Sequence, residues 1–398
     1  MGSTQTNVDL ASPTNISQRR MLVSLTPQAA EALEITLDNL AVAFSGQTVL
    51  VLTPDQLPSL SQDSPLRFLP YTSAATSTVA WVHTAADYLN IYKLLQEHQA
   101  AACLMLGGES HTLPTEALKA LAKATTNSDL AVARYNLGSR EGLVNSAILY
   151  PITRALFAAR PRFPLAIDIG VSPRMAERLA AEALRLTSAN QNEALIWPVA
   201  AAATANYSIT EIDAGDRILP APAGHDLNAL LAQIAGSLFQ DVDAKATYWQ
   251  RARSLPSGRF ALPPNSQIES PSDITPMLDA FQLAYTNLHE IWSLVLPPNS
   301  LLGLKRLSAL PTASFRMPDS LWARIIYDFI LAYRLRTINR GHLLGALTPL
   351  YLAWVASHLL LIGNGTPPEK HIEELAAVFE TEKPYLVSRW RWPDRFNP

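Results

Sequence analysis

The carboxylate best placed for chemistry is Glu109, which follows an apolar run and two glycines in the segment CLMLGGE (residues 103–109). In nucleotide-binding α/β domains, acids at the end of a buried strand lie at the mouth of the sheet, where a metal and a diphosphate sit. The alternative interpretation is an ordinary solvated acid, because an isolated carboxylate is a weak metal site. Both interpretations remain open at this point.

Asp168 is a second candidate, in the segment AIDIGVSP (residues 166–173). Ser172 is a good helix N-cap and Pro173 suits the first helical position, so Asp168 lies in the approach to a predicted helix. Its carboxylate could orient an acceptor hydroxyl or act as a base. It could equally accept backbone N–H groups ahead of the helix.

Basic residues form two local clusters, and each has a structural alternative. Arg334, Arg336 and Arg340 could receive a carboxylate or phosphate, but arginines near a helix end more often complement the helix dipole. The tail SRWRWPDRF (residues 388–396) alternates arginine and tryptophan, a composition that can stack on sugars or nucleotides. Packing against the rest of the protein is the favoured interpretation, because aromatic side chains are mostly packing residues.

The composition excludes several classes of protein. The 398 residues are 48% hydrophobic and 16% charged, which predicts a folded chain of two or three domains. With 31 Lys and Arg against 34 Asp and Glu, the net charge of -3 provides no basic field for nucleic acid. The one cysteine, Cys103, excludes an intramolecular disulfide and a cysteine-based zinc site. Residues 1–19 are polar and lack the core of a signal peptide, so we expect a flexible tail and a cytoplasmic location.

The order of the elements predicts an α/β fold. Apolar strand-like runs alternate with helical patterns over residues 20–224, which predicts a parallel-rich sheet covered by helices on both faces. From residue 225 to 398 broad apolar helical stripes dominate, so we predict a helical C-terminal domain. Residues 346–363 approach the length of a membrane span, but Thr, Pro, Ser and His interrupt them. They predict a helix buried in protein and no membrane span.

Segments spread over about residues 100–395 share motifs with one family. They include VNSAILYPITRALF (144–157), FPLAIDIGVS (163–172) and the C-terminal LWARIIYDFILAY, LTPLYLAWVAS and KPYLVSRWRWPDRF. Their combination resembles bacterial GT-A-fold glycosyltransferases related to mannosylglycerate and glucosylglycerate synthases. The resemblance implies a GT-A-like, Rossmann-type domain that moves a hexose from a nucleotide diphosphate sugar to a small hydroxylated acceptor. It also implies Mg²⁺ or Mn²⁺, held by an Asp-x-Asp motif and a downstream histidine.

The resemblance implies a role for several residues of this chain. Glu109 and His225 are the implied metal ligands, although a histidine on a loop rich in proline and glycine is more often solvated. Asp168 is the implied catalytic residue. The residues implied for cofactor binding are Asp55, Gly107 and Gly108, and those implied for the acceptor are Asn145, Ser146, Tyr150, Thr153 and Arg154.

The chain departs from the family's pattern where the donor and metal bind. Gly107 replaces the first acid of the Asp-x-Asp motif, and Ala166 and Ile167 replace two glycines before Asp168. Leu219 stands where the metal-binding histidine is expected, and leucine cannot ligate a metal. Asp55 is the only acid left in the donor-binding loop.

These departures lead to two hypotheses about function. The first is a glycosyltransferase-like protein that is catalytically impaired or inactive, a pseudoenzyme that serves as a binding, regulatory or assembly component without a cofactor. Its partner would be a protein bound through the helical domain. The second is an active, metal-assisted or metal-independent glycosyltransferase that binds a nucleotide sugar. Oligomers are compatible with either hypothesis.

Overall fold

A seven-stranded mixed sheet forms the N-terminal part of the chain. In the computed structural model, residues 20–53, 64–70, 82–191, 194–219, 226–253 and 273–393 are described. The strands are β1 (Met21–Leu25), β2 (Val49–Thr53), β3 (Leu66–Pro70), β4 (Ala102–Leu106), β5 (Leu130–Asn136), β6 (Ile169–Val171) and β7 (Ile209–Asp216). Their order is β3-β2-β1-β4-β6-β5-β7. Only β6 runs antiparallel to its neighbours, β4 and β5.

In the described residues of the same part of the chain, six α-helices connect these strands. They are α1 (Ala30–Ala43), α2 (Ala85–Glu97), α3 (Thr115–Asn127), α4 (Tyr150–Phe157), α5 (Pro173–Thr187) and α6 (Pro198–Thr204). A π-helical turn, Asn145–Leu149, leads directly into α4. The predicted cap of α5 is confirmed, because the Ser172 hydroxyl accepts a hydrogen bond of 3.1 Å from the Met175 N–H.

Both faces of the sheet are buried, as the continuous apolar runs predict for parallel strands. Alternate residues of one strand enter different cores: Cys103 and Met105 of β4 join one apolar cluster, and Leu104 and Leu106 join the other. Helices α1 and α3 cover the second cluster. The prediction of an α/β fold with a mostly parallel sheet is therefore confirmed.

The C-terminal part is helical in the residues that the structure describes. Its helices are α7 (Leu227–Ala244), α8 (Ala246–Trp249), α9 (Thr275–Asn287), α10 (His289–Val295), α11 (Pro298–Ser308), α12 (Asp319–Leu335), α13 (Arg340–Gly363) and α14 (Pro368–Arg391). These helices share one apolar cluster with the sheet face that carries Cys103. Helix α14 packs along α4, and the indole N–H of Trp322 on α12 donates to the Ala147 carbonyl.

Within the described residues, α13 is the one helix long and apolar enough to cross a membrane, judged by length and composition. The share of its most apolar window that lies inside the protein is 72%. Burial against α7, α9 and α12 accounts for the apolar character of this helix.

Candidate functional site

Four strand ends converge at one edge of the sheet. Strands β4, β5 and β7 end there, and β6 begins there because it runs in the opposite direction. Asp168 therefore lies beside the glycines that follow β4. We call Gly107, Gly108, Tyr135, Asp168 and Arg217 the sheet-mouth cluster.

Asp168 is fully buried and both of its carboxylate oxygens are engaged. Oδ1 accepts the backbone N–H of Gly107 at 3.0 Å, and Oδ2 accepts the hydroxyl of Tyr135 at 2.7 Å. The Arg217 guanidinium donates to Oδ2 through Nε at 2.9 Å and to Oδ1 through Nη2 at 3.2 Å. Asp168 is thus a bidentate partner of an arginine and has no surface open to solvent.

Arg217 also binds the turn that follows β4. Its Nη2 donates to the Gly108 carbonyl at 2.7 Å, and its Nη1 donates to the Glu109 carbonyl and to the Thr112 hydroxyl. Burial acts to lower the pKa of Arg217, but the charge and hydrogen bonds of Asp168 raise it overall. The side chain is therefore a permanent cation placed between the Asp168 carboxylate and two backbone carbonyls.

Tyr135 stays protonated in this environment. Burial, and then the negative charge of Asp168, raise the pKa of the Tyr135 phenol well above its usual value. Burial lowers the pKa of the fully buried His83, although the charges of Asp87 and then Asp168 act in the opposite direction. Both groups are neutral at physiological pH, so the Arg217 cation is what balances the Asp168 anion.

Glu109 does not join Asp168 around a common opening. Its backbone adopts the left-handed conformation at φ 58°, and its half-exposed carboxylate lies 3.6 Å from His111 Nδ1. Leu219, which stands where the resemblance implies a metal-binding histidine, packs against the apolar cluster of α1 and α3. Asp55 and His225 lie outside the described residues.

The described residues of this site do not fit a divalent metal. Such a cation needs several oxygen ligands with available lone pairs, whereas Asp168 already accepts from a backbone N–H, a phenol and a guanidinium. In the described part of the chain, no group of three or more His, Cys, Asp or Glu side chains is arranged to hold a metal ion. A positive guanidinium within reach of both Asp168 oxygens opposes a second cation at the same place.

The five residues implied for the acceptor lie on the π-helical turn and on α4, and all are largely buried. Arg154 pairs with Glu373 and Glu380 of α14 at 2.5 and 3.1 Å. The Tyr150 hydroxyl donates to Glu373 at 2.6 Å. These two residues therefore connect α4 to the C-terminal helices, and Thr153 is buried in the same region.

The other two lie beside Arg162. The Asn145 side-chain amide donates to the Arg162 carbonyl at 2.8 Å, and the Ser146 hydroxyl accepts from Arg162 Nη2 at 3.0 Å. Ser146 lines a cavity of about 700 Å³ between the sheet edge and α14. Its lining includes Arg134, Ser146, Arg162, Glu211, His358 and Glu369, and we call it the β5–α14 cavity. Asp168 and Glu109 do not line it.

Arg217 and Tyr135 were missed by the reasoning from sequence. Arg217 lies 49 residues from Asp168 along the chain, so no local spacing connects the two. The available signal was a charged residue directly after a strand, in the segment AGDRIL (residues 214–219), at the edge of the sheet where Asp168 was expected.

Comparison with known proteins finds no family model and no curated protein that matches this chain.

Proposed function

We propose that this protein is a glycosyltransferase-like protein without transfer activity, which acts as a binding, regulatory or assembly component. The observation that carries the proposal is the fully buried pair of Asp168 and Arg217, whose side chains have no exposed surface. A catalytic carboxylate must reach a reacting hydroxyl or a metal, and this carboxylate reaches neither while Arg217 is in place.

The physical basis is a replacement of one cation by another. A metal-dependent site uses a divalent ion to offset the charge of its carboxylates and of the diphosphate. Here the Arg217 guanidinium offsets the charge of Asp168 and binds the Gly108 and Glu109 carbonyls. Arg217 thereby stabilises this edge of the sheet without a metal, and the residues there have a structural role.

The surroundings of the site support the same proposal. A mostly parallel α/β sheet followed by helices is compatible with the GT-A-like fold that the resemblance implies. Arg154 and Tyr150, implied for the acceptor, are engaged by α14. A protein partner at the helical part of the chain belongs to this proposal.

An assay of sugar transfer tests the proposal. The full chain is incubated with UDP-, GDP-, ADP- and dTDP-sugars, Mn²⁺ or Mg²⁺, and small hydroxylated acceptors, and the release of nucleoside diphosphate is measured. We expect no release above the protein-free control. Release that disappears in Glu109→Ala, a change at a half-exposed side chain, would instead establish the active glycosyltransferase with Glu109 as a functional residue.

A further inference from the structure

Three polar side chains from three helices form a hydrogen-bonded chain beside the β5–α14 cavity, and its two histidines are buried. Asp319 at the start of α12 lies 3.2 Å from His371 Nε2, and His371 Nδ1 lies 2.6 Å from His358 Nδ1. The two imidazoles stack on each other and on Trp354, with ring centroids 4.9 to 5.9 Å apart. The positions of both rings are therefore fixed by packing.

The hydrogen-bond chain bears on which ring nitrogen of His358 carries a proton and which carries a lone pair. A carboxylate only accepts, so His371 Nε2 carries a proton towards Asp319. When the His371 ring is neutral, its Nδ1 is an acceptor and the shared proton belongs to His358 Nδ1. Burial, and then electrostatic repulsion from His371 and Arg162, lower the pKa of His358 to about 3. His358 is thus a neutral ring, and with a neutral His371 the lone pair lies on His358 Nε2.

His358 Nε2 has no hydrogen-bond partner among the described residues, although the ring is fully buried and lines the cavity. A buried acceptor without a donor costs free energy. Such groups in native proteins are usually satisfied by water or by a ligand.

Arg162 presents the complementary group to the same cavity. Its side chain is only 7% exposed, and its Nε and Nη2 donate to Glu369 and to the Ser146 hydroxyl. Nη1 has no acceptor in the described part of the chain. The cavity is therefore lined by one buried acceptor without a donor and one buried donor without an acceptor.

The charges around the cavity restrict what can satisfy both groups. Among the described residues, two arginines and five carboxylates line it: Arg134, Arg162, Glu141, Glu211, Asp213, Asp216 and Glu369. This excess of negative charge disfavours an anion. A cationic amine has no lone pair to accept from Arg162, whereas a hydroxyl group both donates and accepts.

We propose that the β5–α14 cavity binds a neutral polyhydroxylated small molecule, a sugar or polyol, whose hydroxyls donate to His358 Nε2 and accept from Arg162 Nη1. The volume of about 700 Å³ lies within the range of small-molecule sites. The surrounding carboxylates accept further hydroxyl protons. The inference goes beyond the proposed function and does not depend on it, because the Asp168 and Arg217 pair takes no part in the site.

Saturation-transfer NMR and calorimetry with the full chain test this inference. The probes are D-glucose, D-mannose, glycerol and myo-inositol, with D-gluconate as the anionic counterpart of glucose. We expect at least one neutral probe to bind and gluconate to bind more weakly than glucose. No binding of any neutral probe, the result if the cavity holds only water, or preferred binding of gluconate would overturn the proposal.

Three variants localise the binding. His358→Phe keeps the stacked ring and removes Nε2 together with the Nδ1 contact to His371, and we expect at least a tenfold loss of affinity. Ser139→Trp blocks the cavity from its loop side, where Ser139 is only partly buried, so it serves if His358→Phe does not fold. His98→Phe, at an exposed position after α2, is the matched control with unchanged affinity. Unchanged affinity in folded His358→Phe and in Ser139→Trp would overturn the proposal.

Discussion

At the scale of single residues, the buried charge of Asp168 is balanced by Arg217. The carboxylate has no exposed surface, and its partners are a backbone N–H, a phenol and a guanidinium. A buried charge is tolerated only when it is paired and fully hydrogen-bonded. Arg217 meets this requirement and also binds the turn after β4.

Removing the Arg217 charge is therefore predicted to destabilise the protein. In Arg217→Met the Asp168 carboxylate stays buried without a cation, so we expect a loss of about 3–5 kcal/mol in the free energy of unfolding. Urea or thermal unfolding measures it. The control is Arg174→Met, whose partner is Asp129 but whose side chain is 60% exposed; we expect about 1 kcal/mol or less there. Equal losses in the two variants would contradict the structural role of Arg217.

At the scale of elements, the short strand β6 decides the geometry of the sheet edge. It has three residues, pairs antiparallel with β4 and β5, and brings Asp168 to the ends of both. Helix α3 crosses it so closely that a Cβ at Gly170 would lie 1.7 Å from Thr125 Oγ1. Glycine is thus required at position 170, because α3 lies too close to β6 to leave room for a side chain.

Adding a methyl group at Gly170 is predicted to damage this contact. Gly170→Ala forces α3 away from β6, and we expect a loss of more than about 2 kcal/mol in stability, at the upper end of overpacking effects. Gly345→Ala in α13 is the control, because nothing lies within 4 Å of its added Cβ; there we expect a gain of up to about 1 kcal/mol from helix propensity. Melting temperatures of the two variants distinguish these outcomes, and an unaffected Gly170→Ala would refute the close packing.

Helices α12 and α14 are joined by a buried carboxylate that titrates near neutrality. Burial raises the pKa of Asp328 to about 7, although the charge of Arg389 and the Tyr385 hydroxyl act in the opposite direction. Its pKa in the unfolded chain is about 4, so between pH 4 and 7 the folded protein binds the extra proton. The contribution of Asp328 to stability is therefore largest below about pH 4 and decreases as the pH rises through 7.

The comparison of wild type with Asp328→Asn isolates this effect, because asparagine does not titrate. We expect the stability of wild type relative to the variant to be highest at about pH 4 and to decrease towards pH 8. Thermal unfolding at several pH values measures the difference. A difference that increases with pH would show that Asp328 ionises more readily in the folded protein than in the unfolded chain.

At the scale of the whole molecule, the sheet and the C-terminal helices share one apolar core and a buried polar contact. Arg154 of α4 reaches Glu373 and Glu380, which lie two turns apart on α14. All of these side chains are less than one-fifth exposed. The contact fixes α14 against the sheet-bearing part of the chain and so forms one wall of the β5–α14 cavity.

Loss of Arg154 is predicted to loosen α14. In Arg154→Met two buried carboxylates lose their cation, and we expect faster amide hydrogen exchange along α14 and α4. The control is Lys119→Met, because Lys119 pairs with the exposed Glu116 within α3. Exchange in α14 that stays at the wild-type rate in Arg154→Met would show that apolar packing alone holds this helix.

The sequence predicted the features that depend on a short, continuous stretch of residues. The apolar runs predicted β1, β2, β4 and β5, and the Ser172-Pro173 pair predicted the start of α5. Strand β6 was not predicted from the sequence, because three residues are too few for a periodic pattern. Two sets of contacts could not be predicted from the sequence: the Asp168–Arg217 pair and the Asp319–His371–His358 chain. Their members come from separate elements, and only folding brings them together.

We propose that Arg217 closes the sheet edge to a metal and a nucleotide diphosphate. The most direct measurement is isothermal titration calorimetry of the full chain with UDP, GDP, ADP and their sugars, each with and without Mn²⁺. We expect only heats of dilution in every titration. Metal-dependent binding with a micromolar Kd, about -8 kcal/mol, would contradict it and would show that the donor site is intact.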